Sequence, residues 1–223
     1  MKGLEKIVER IHAYFEVKNA ARDQALLRSR ELIRYCAHAI RAVHRAEYDK
    51  ATELLSTARQ AVQRMTSDLA DHPDLYYTGY TQDALKEFAE ANITHALIVN
   101  KPLPSPEELE VPPAAYLKGL GEAMGELRRH VLDVMRHGEV ERCERILQAM
   151  EDVYSVLVTV DYPDMLTAGL RRTTDMVRGV LERTRGDLTL AVRQEALRDA
   201  LRDFEEKILS GTGGSYPGET DDK

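Results

Sequence analysis

The sequence predicts an all-α fold, and three observations lead to this class. Of the 223 residues, 31% are charged, only 6% are aromatic and 13 are glycine, a composition that favours helices. Apolar residues recur at the three- and four-residue spacing of amphipathic helices along most of the chain. No segment shows the alternation of apolar and polar residues that is typical of a half-buried strand.

Seven helices are expected, packed as an antiparallel bundle in a single domain over residues 1–209. They should cover residues 3–46, 46–65, about 81–99, 113–137, 139–159, 164–185 and 187–209. Turn residues separate the first six: Pro73 and Gly79, five prolines from Pro102 to Pro113, Gly138, and Asp161-Tyr162-Pro163. Gly186-Asp187 is expected to mark a break or a kink before the seventh. Asp164 is expected to cap the sixth helix. The polar, glycine-rich segment 210–223 is predicted to be a disordered tail.

Cysteine usage and hydropathy indicate a cytoplasmic protein that does not enter a membrane. Cys36 and Cys143 are far apart and lack metal-ligand spacing, so we expect reduced thiols in the core. No apolar run reaches the roughly 18 residues of a membrane span. The first residues form a charged amphipathic segment rather than a signal peptide.

The charge distribution suggests local rather than general binding of a polyanion. The chain has a net charge of −7, which argues against coating nucleic acid with its whole surface. Residues 1–50 contain eleven Lys and Arg against seven Asp and Glu, a balance of +4, so the remainder carries −11. A chain of this kind can still bind a polyanion at its basic end.

One face of the first helix is rich in arginine. Four side chains fall within about 60° of one another on a helical wheel, whereas Lys18 and Arg22 precede them and are rotated away. The four are Arg30, Arg34, Arg41 and Arg45. This face is either a solvated charged surface or a stripe that binds phosphate groups. His38 and His44 on the same helix are further candidates for phosphate contact when protonated.

Two acidic pairs are the main candidates for chemistry. Glu87 and Glu90 are three residues apart, and Glu122 and Glu126 four apart, so each pair lies on adjacent turns of one helix face. If the two helices lie side by side, four carboxylates converge and repel one another unless they bind a cation. Hard oxygen ligands suit Mg²⁺ or Mn²⁺. Such an ion is the usual requirement for phosphodiester hydrolysis.

The surroundings of these pairs differ. The face of Glu87 and Glu90 continues into an apolar strip, which predicts partial burial, whereas Glu122 and Glu126 look exposed on their own helix. Gly119 and Gly125 flank the second pair and would permit close approach of a ligand or another backbone. A helical di-iron protein needs two Glu-x-x-His motifs, and the chain contains only Glu9-x-x-His12.

The order of these features is similar to that of the translin superfamily over about residues 4–208. The segments that carry the resemblance are AIRAVHRAEYDKATELL, LKEFAEA, the proline-rich loop, YLKGLGEAMGELRR and YPDMLTAGLRRTTDMVRGVLERTRGDL. Within the superfamily the chain resembles the Trax (translin-associated factor X) branch. A QEYVEA-like motif of that branch is matched by residues 86–91, and a DYLxGxxDLTGEL motif by residues 115–127.

The resemblance implies a seven-helix fold, a hollow oligomer of typically eight subunits, and Mg²⁺-dependent endonucleolytic cleavage of RNA inside the shell. It assigns the motif carboxylates to Glu87, Glu90, Glu122 and Glu126, which would hold Mg²⁺ (or Mn²⁺) and act in catalysis. The basic first helix would then face the cavity and bind RNA. Its candidates are Lys18, Arg22, Arg30, Arg34, Arg41 and Arg45.

The chain departs from the Trax pattern at two positions, because Glu122 and Ala115 stand where the motif has Asp. The function expected is a Trax-like endoribonuclease. The alternatives are a non-catalytic, translin-like shell that binds RNA or DNA, and a helical scaffold without a nucleic-acid role. The shell is expected to be homomeric or shared with a translin partner. Its ligand would be single-stranded or short duplex RNA, with single-stranded DNA as a further ligand.

Overall fold

A computed structural model describes residues 2–211, apart from the side chains of Lys2 and Glu141 and the exposure of Gly211. Within this range every regular element is a helix, and the predicted all-α fold is confirmed. The elements are α1 (Lys2–His44), α2 (Tyr48–Asp68), α3 (Pro73–Tyr76), α4 (Gly79–Ile98), α5 (Pro106–Leu109), α6 (Pro113–Met135), α7 (Val140–Thr159), α8 (Asp164–Thr167) and α9 (Leu170–Gly211). The predicted tail lies outside the described residues from position 212 onward.

The break predicted at Gly186-Asp187 is wrong, because α9 continues through it to Gly211. Arg128 of α6 donates hydrogen bonds to Thr184 and Asp187 at 3.2 and 2.8 Å, which fastens this part of α9 to its neighbour. Tertiary packing therefore outweighs the modest helix cost of one glycine. Asp164 begins the one-turn helix α8 rather than capping a long helix, which starts at Leu170.

Helix α4 is the central element of the bundle. It packs against α1, α2 and α6, and its buried residues occur around most of its circumference, as expected for a helix enclosed by others. Phe88 of α4 is fully buried in the core. The guanidinium of Arg145 on α7 donates to the carbonyl oxygens of Leu97 and Ile98, which satisfies backbone acceptors at the carboxyl end of α4.

Glycine at position 119 lets α6 approach α4 closely. A Cβ added to Gly119 would lie 2.7 Å from the carbonyl oxygen of Lys86 and 2.9 Å from the backbone nitrogen of Glu90. The close approach predicted for Gly119 is therefore present, whereas a Cβ at Gly125 would meet no atom within 4 Å. This contact places the acidic motif of α6 directly beside that of α4.

Both long terminal helices extend beyond this core. The first part of α1 and the last part of α9 expose large apolar side chains that other described residues do not cover. They include Leu4, Ile7, Ile11, Phe15, Leu197, Leu201 and Phe204.

Two further expectations concern cysteines and membranes. Cys36 and Cys143 are free and buried, as predicted. Burial raises the pKa of the Cys143 thiol to about 11, so this sulfur is a protonated core group rather than a nucleophile. Across the described part of the chain, no helix combines the length and apolar character that crossing a bilayer requires.

Candidate metal centre

Three of the four predicted carboxylates meet between α4 and α6. Glu87 and Glu90 lie on adjacent turns of α4, and Glu122 of α6 faces them across the Gly119 contact. Each of the three offers one carboxylate oxygen, and these oxygens lie within 4.8 Å of one another. Neither helix alone could assemble this group, because the third ligand comes from the neighbouring helix.

Glu90 is the innermost of these carboxylates, with only 8% of the residue exposed. It forms no hydrogen bond or ion pair with another described side chain. Burial, reinforced by the negative charges of Glu87, Glu122 and Glu126, raises the pKa of Glu90 to about 8. The ionised form of Glu90 is therefore unfavourable unless a cation binds beside it.

Glu122 and Glu87 both form ion pairs with the side chain of Lys86. The ammonium of Lys86 lies 2.5 Å from Oε2 of Glu122 and 3.2 Å from Oε1 of Glu87. The lysine side chain is 14% exposed, and the two carboxylates are about one third exposed. Although burial alone would lower the pKa of Lys86, the hydrogen bond to Glu122 raises it on balance, so this lysine is charged.

Glu126 lies near this group but is held by a histidine. Its Oε2 contacts Nε2 of His44, whose side chain is 4% exposed. The hydrogen bond from His44 lowers the pKa of Glu126, in contrast to that of Glu90. Nδ1 of His44 is buried without a hydrogen-bond partner. Glu126 is thus not among the three side chains whose oxygens converge, and its role as a ligand stays a prediction.

The basic residues predicted to bind nucleic acid lie along α1 with mostly exposed side chains. Lys18 is half-buried and pairs with Asp74 at 2.6 Å. Arg22 and Arg45 pair with acidic neighbours on the surface, while Arg34 lies over the ring of Tyr35. Within the described chain no ion pair involves Arg30 or Arg41, whose exposed guanidinium groups are free to contact a phosphate. The histidines of α1 differ, because His38 is exposed whereas only the side chain of His44 is buried, against Glu126.

Sequence reasoning missed Lys86 and the partner of Glu126. Lys86 directly precedes Glu87 in the first acidic motif, at the position where the Trax motif has Gln, so a signal for it was available. The sequence predicts His44 only as a phosphate contact. Its pairing with Glu126 joins residues 82 positions apart, and helical spacing carries no information about such a contact.

The fold and the site together define an all-α protein with an acidic cluster between two central helices. No protein-family model matches the chain. An uncharacterised protein of Methanocaldococcus jannaschii is 33% identical over 191 residues, which are 85% of this chain and 84% of that protein.

Solved structures of C3PO are similar to the chain in both sequence and fold. AfC3PO in complex with duplex RNA superposes with a TM-score of 0.79 at 31% identity, covering 84% of this chain and 97% of that one. AfC3PO determined by itself gives a TM-score of 0.78 with the same identity and coverage. Apo-NeC3PO superposes with a TM-score of 0.75 at 21% identity, and the aligned region covers 82% of this chain and 96% of NeC3PO. At this identity the similarity shows the fold alone. These are archaeal and fungal translin/Trax complexes, and the chain belongs to the translin superfamily.

Proposed function

We propose that the protein is a Mg²⁺-dependent endoribonuclease that cleaves RNA inside an oligomeric shell. The observation that carries this proposal is the convergence of Glu87, Glu90 and Glu122, with their oxygens within 4.8 Å of one another. A buried carboxylate without a partner, as found at Glu90, is costly unless a cation compensates it. The site therefore favours a cation-binding role over a merely solvated acidic surface.

The donor set fits Mg²⁺. This ion takes six oxygen ligands at about 2.1 Å, so opposite ligands are separated by roughly 4.2 Å. The three carboxylate oxygens lie within 4.8 Å of one another, a limit close to the separation that this coordination requires. Glu122 also fits although the motif has Asp, since its longer side chain already reaches the cluster from α6. Mn²⁺ accepts the same oxygen ligands.

Each part of the chain has a role in the proposed reaction. Glu87, Glu90 and Glu122 would hold the ion, and Glu126, oriented by His44, would complete the acidic surface toward the substrate. A bound Mg²⁺ supplies activation of water and neutralisation of charge on the phosphate, so no protein nucleophile is needed. The arginines of α1 would hold the RNA backbone by phosphate contacts, which position a strand without reading its sequence.

RNA as the ligand is supported by the relative AfC3PO, whose structure was solved with duplex RNA. Arg30 and Arg41, exposed and without ion pairs among the described residues, are the strongest candidates for phosphate contact in this chain. Both single strands and short duplexes present the phosphates that such a stripe binds, and single-stranded DNA does so as well.

An oligomeric state is supported by the uncovered apolar residues of α1 and α9. Contiguous exposed apolar surface usually marks a protein interface. We propose a closed, octamer-like shell, formed by copies of this chain or shared with a translin partner, with the acidic clusters facing its interior. A cytoplasmic location is proposed from the two free buried thiols, which suit a reducing compartment.

The proposal is tested by incubating the pure protein with end-labelled RNA and Mg²⁺, then with EDTA. Glu87→Gln, Glu90→Gln and Glu126→Gln should each lower cleavage at least about 100-fold, the loss typical of a catalytic electrostatic group. Glu53→Gln on α2, which is exposed and distant in sequence from the site, should cleave normally.

Cleavage that survives in EDTA or in the Glu90→Gln protein would overturn the assignment of the site. RNA binding that weakens with salt, without cleavage, would favour a non-catalytic translin-like shell. Absence of RNA binding would leave only a helical scaffold.

A further inference from the structure

Lys86 occupies an unusual place for a lysine. Its ammonium lies between carboxylates from two helices, 2.5 Å from Glu122 and 3.2 Å from Glu87. Its own backbone carbonyl lies at the Gly119 contact, where α4 and α6 approach each other closely. Among the described residues, it is the one cation that forms an ion pair with any of the three clustered carboxylates.

The position of this ammonium conflicts with that of a metal ion. A divalent ion held by Glu87 and Glu122 would bind the two carboxylates with which Lys86 now forms ion pairs. Two cations sharing one small group of oxygens also repel each other strongly at separations of a few ångströms. The flexible four-carbon stem of lysine, in contrast, allows the ammonium to move away while the backbone remains fixed.

We propose that Lys86 is the resident counter-ion of the acidic cluster and competes with the divalent ion for Glu122 and Glu87. The lysine stabilises the cluster when no metal is bound, and it weakens metal binding because it must first leave these oxygens. Lys86 therefore sets the concentration of divalent ion at which the site loads. This inference rests on the metal centre of the proposed function and adds to it a residue that tunes its affinity.

Mn²⁺ alone serves as the probe, and its binding to the full chain is measured by calorimetry and by the electron paramagnetic resonance signal of the free ion. Lys86→Met keeps an unbranched side chain one atom shorter and removes the charge, and this variant should bind Mn²⁺ about tenfold more tightly than the unmodified protein. Lys86→Arg keeps the positive charge, and its affinity for Mn²⁺ should be equal to or lower than that of the unmodified protein.

Lys118→Met is the matched control. Lys118 lies one turn before Glu122 on α6 and forms no ion pair with a described residue, so its removal tests the general effect of losing one positive charge nearby. It should change the Mn²⁺ affinity by less than about threefold. Circular dichroism confirms that each variant is folded.

The outcomes separate this inference from the proposed function. If the unmodified protein binds Mn²⁺ and Lys86→Met binds it no better, Lys86 is not a competitor, while the metal centre stands. An equal gain in Lys86→Met and Lys118→Met would also overturn the specific role of Lys86. Tighter Mn²⁺ binding by Lys86→Met, without a gain in Lys118→Met, would support the competition. If no variant binds Mn²⁺, the metal centre and the competition both fail.

Discussion

At the scale of single residues, Glu90 links the stability of the bundle to pH and to metal. Its pKa of about 8 in the folded protein lies well above the ordinary value of 4.5. The folded protein therefore retains a proton that the unfolded chain loses between these two values. Because the folded state then binds more protons, the free energy of unfolding falls as the pH rises from about 4.5 to 8.

Substituting Glu90 by Gln should remove this dependence. In EDTA at pH 8 to 9, the Glu90→Gln protein should be more stable than the unmodified one by about 2 to 4 kcal/mol, given roughly 1.4 kcal/mol per pKa unit. Near pH 5 the two should differ little, because the glutamate is then neutral in the folded state. Urea unfolding across this pH range measures the effect, and parallel stability curves for the two proteins would contradict it.

His44 shows how a buried residue can act on the site without joining it. Its Nε2 forms a hydrogen bond with Oε2 of Glu126, and it lies on α1, outside the two helices that carry the acidic motifs. Three helices thus contribute side chains to this part of the molecule. The geometry of the proposed centre depends on how α1 packs as well as on α4 and α6.

At the scale of helices, the α4–α6 contact at Gly119 holds the acidic motifs together. Gly119→Ala would place a Cβ 2.7 Å from the carbonyl oxygen of Lys86 and 2.9 Å from Ala89 Cβ, both inside normal contact distance. The helices would have to separate, and we expect a loss of about 1–3 kcal/mol in unfolding free energy. Mn²⁺ binding should weaken in parallel, because Glu122 would move away from Glu87 and Glu90.

Gly125→Ala provides the matched comparison on the same helix. No atom lies within 4 Å of the added Cβ, so the change should be neutral or stabilising by up to about 1 kcal/mol through helix propensity. Chemical denaturation and Mn²⁺ titration of both variants distinguish crowding from a general effect of alanine. Equal stability of the two variants would show that the close approach at Gly119 is unimportant.

At the scale of the whole molecule, α1 and α9 extend past the core and expose apolar side chains, which we propose are covered by neighbouring subunits. Phe204→Glu places a charge on the exposed apolar face of α9, where the phenylalanine is 61% exposed. Light scattering with size-exclusion chromatography should show a smaller assembly, because burying an unpaired charge in an interface is costly. An unchanged mass would exclude this face from the interface.

Gln194→Glu is the control for that experiment, since it adds the same charge at an exposed polar position of α9. It should leave the mass unchanged. The enzymatic proposal predicts a further effect, because RNA enclosed by a shell needs the assembled particle. Loss of assembly in Phe204→Glu should therefore reduce cleavage even though the acidic cluster within each chain is intact.

Several features of this protein follow from local patterns and could be predicted from the sequence. The helical class follows from apolar spacing and composition, and the end of α6 follows from Gly138, whose φ of +78° favours glycine. The candidate carboxylates follow from spacing within single helices. The translin superfamily follows from motifs in the sequence, and the similarity to C3PO structures confirms it. The break expected at Gly186 failed because a contact between helices, that of Arg128 with α9, overrides a local preference.

By itself, the sequence determined which residues form helices and which carboxylates share a face, because both depend on neighbours within one or two turns. Only the tertiary structure decided that Glu122 joins Glu87 and Glu90, that Glu126 pairs with His44, and that Lys86 lies among the acids. These groupings depend on the separation and rotation of packed helices. At Gly119 that separation is set by the absence of a side chain, which allows the two acidic motifs to meet.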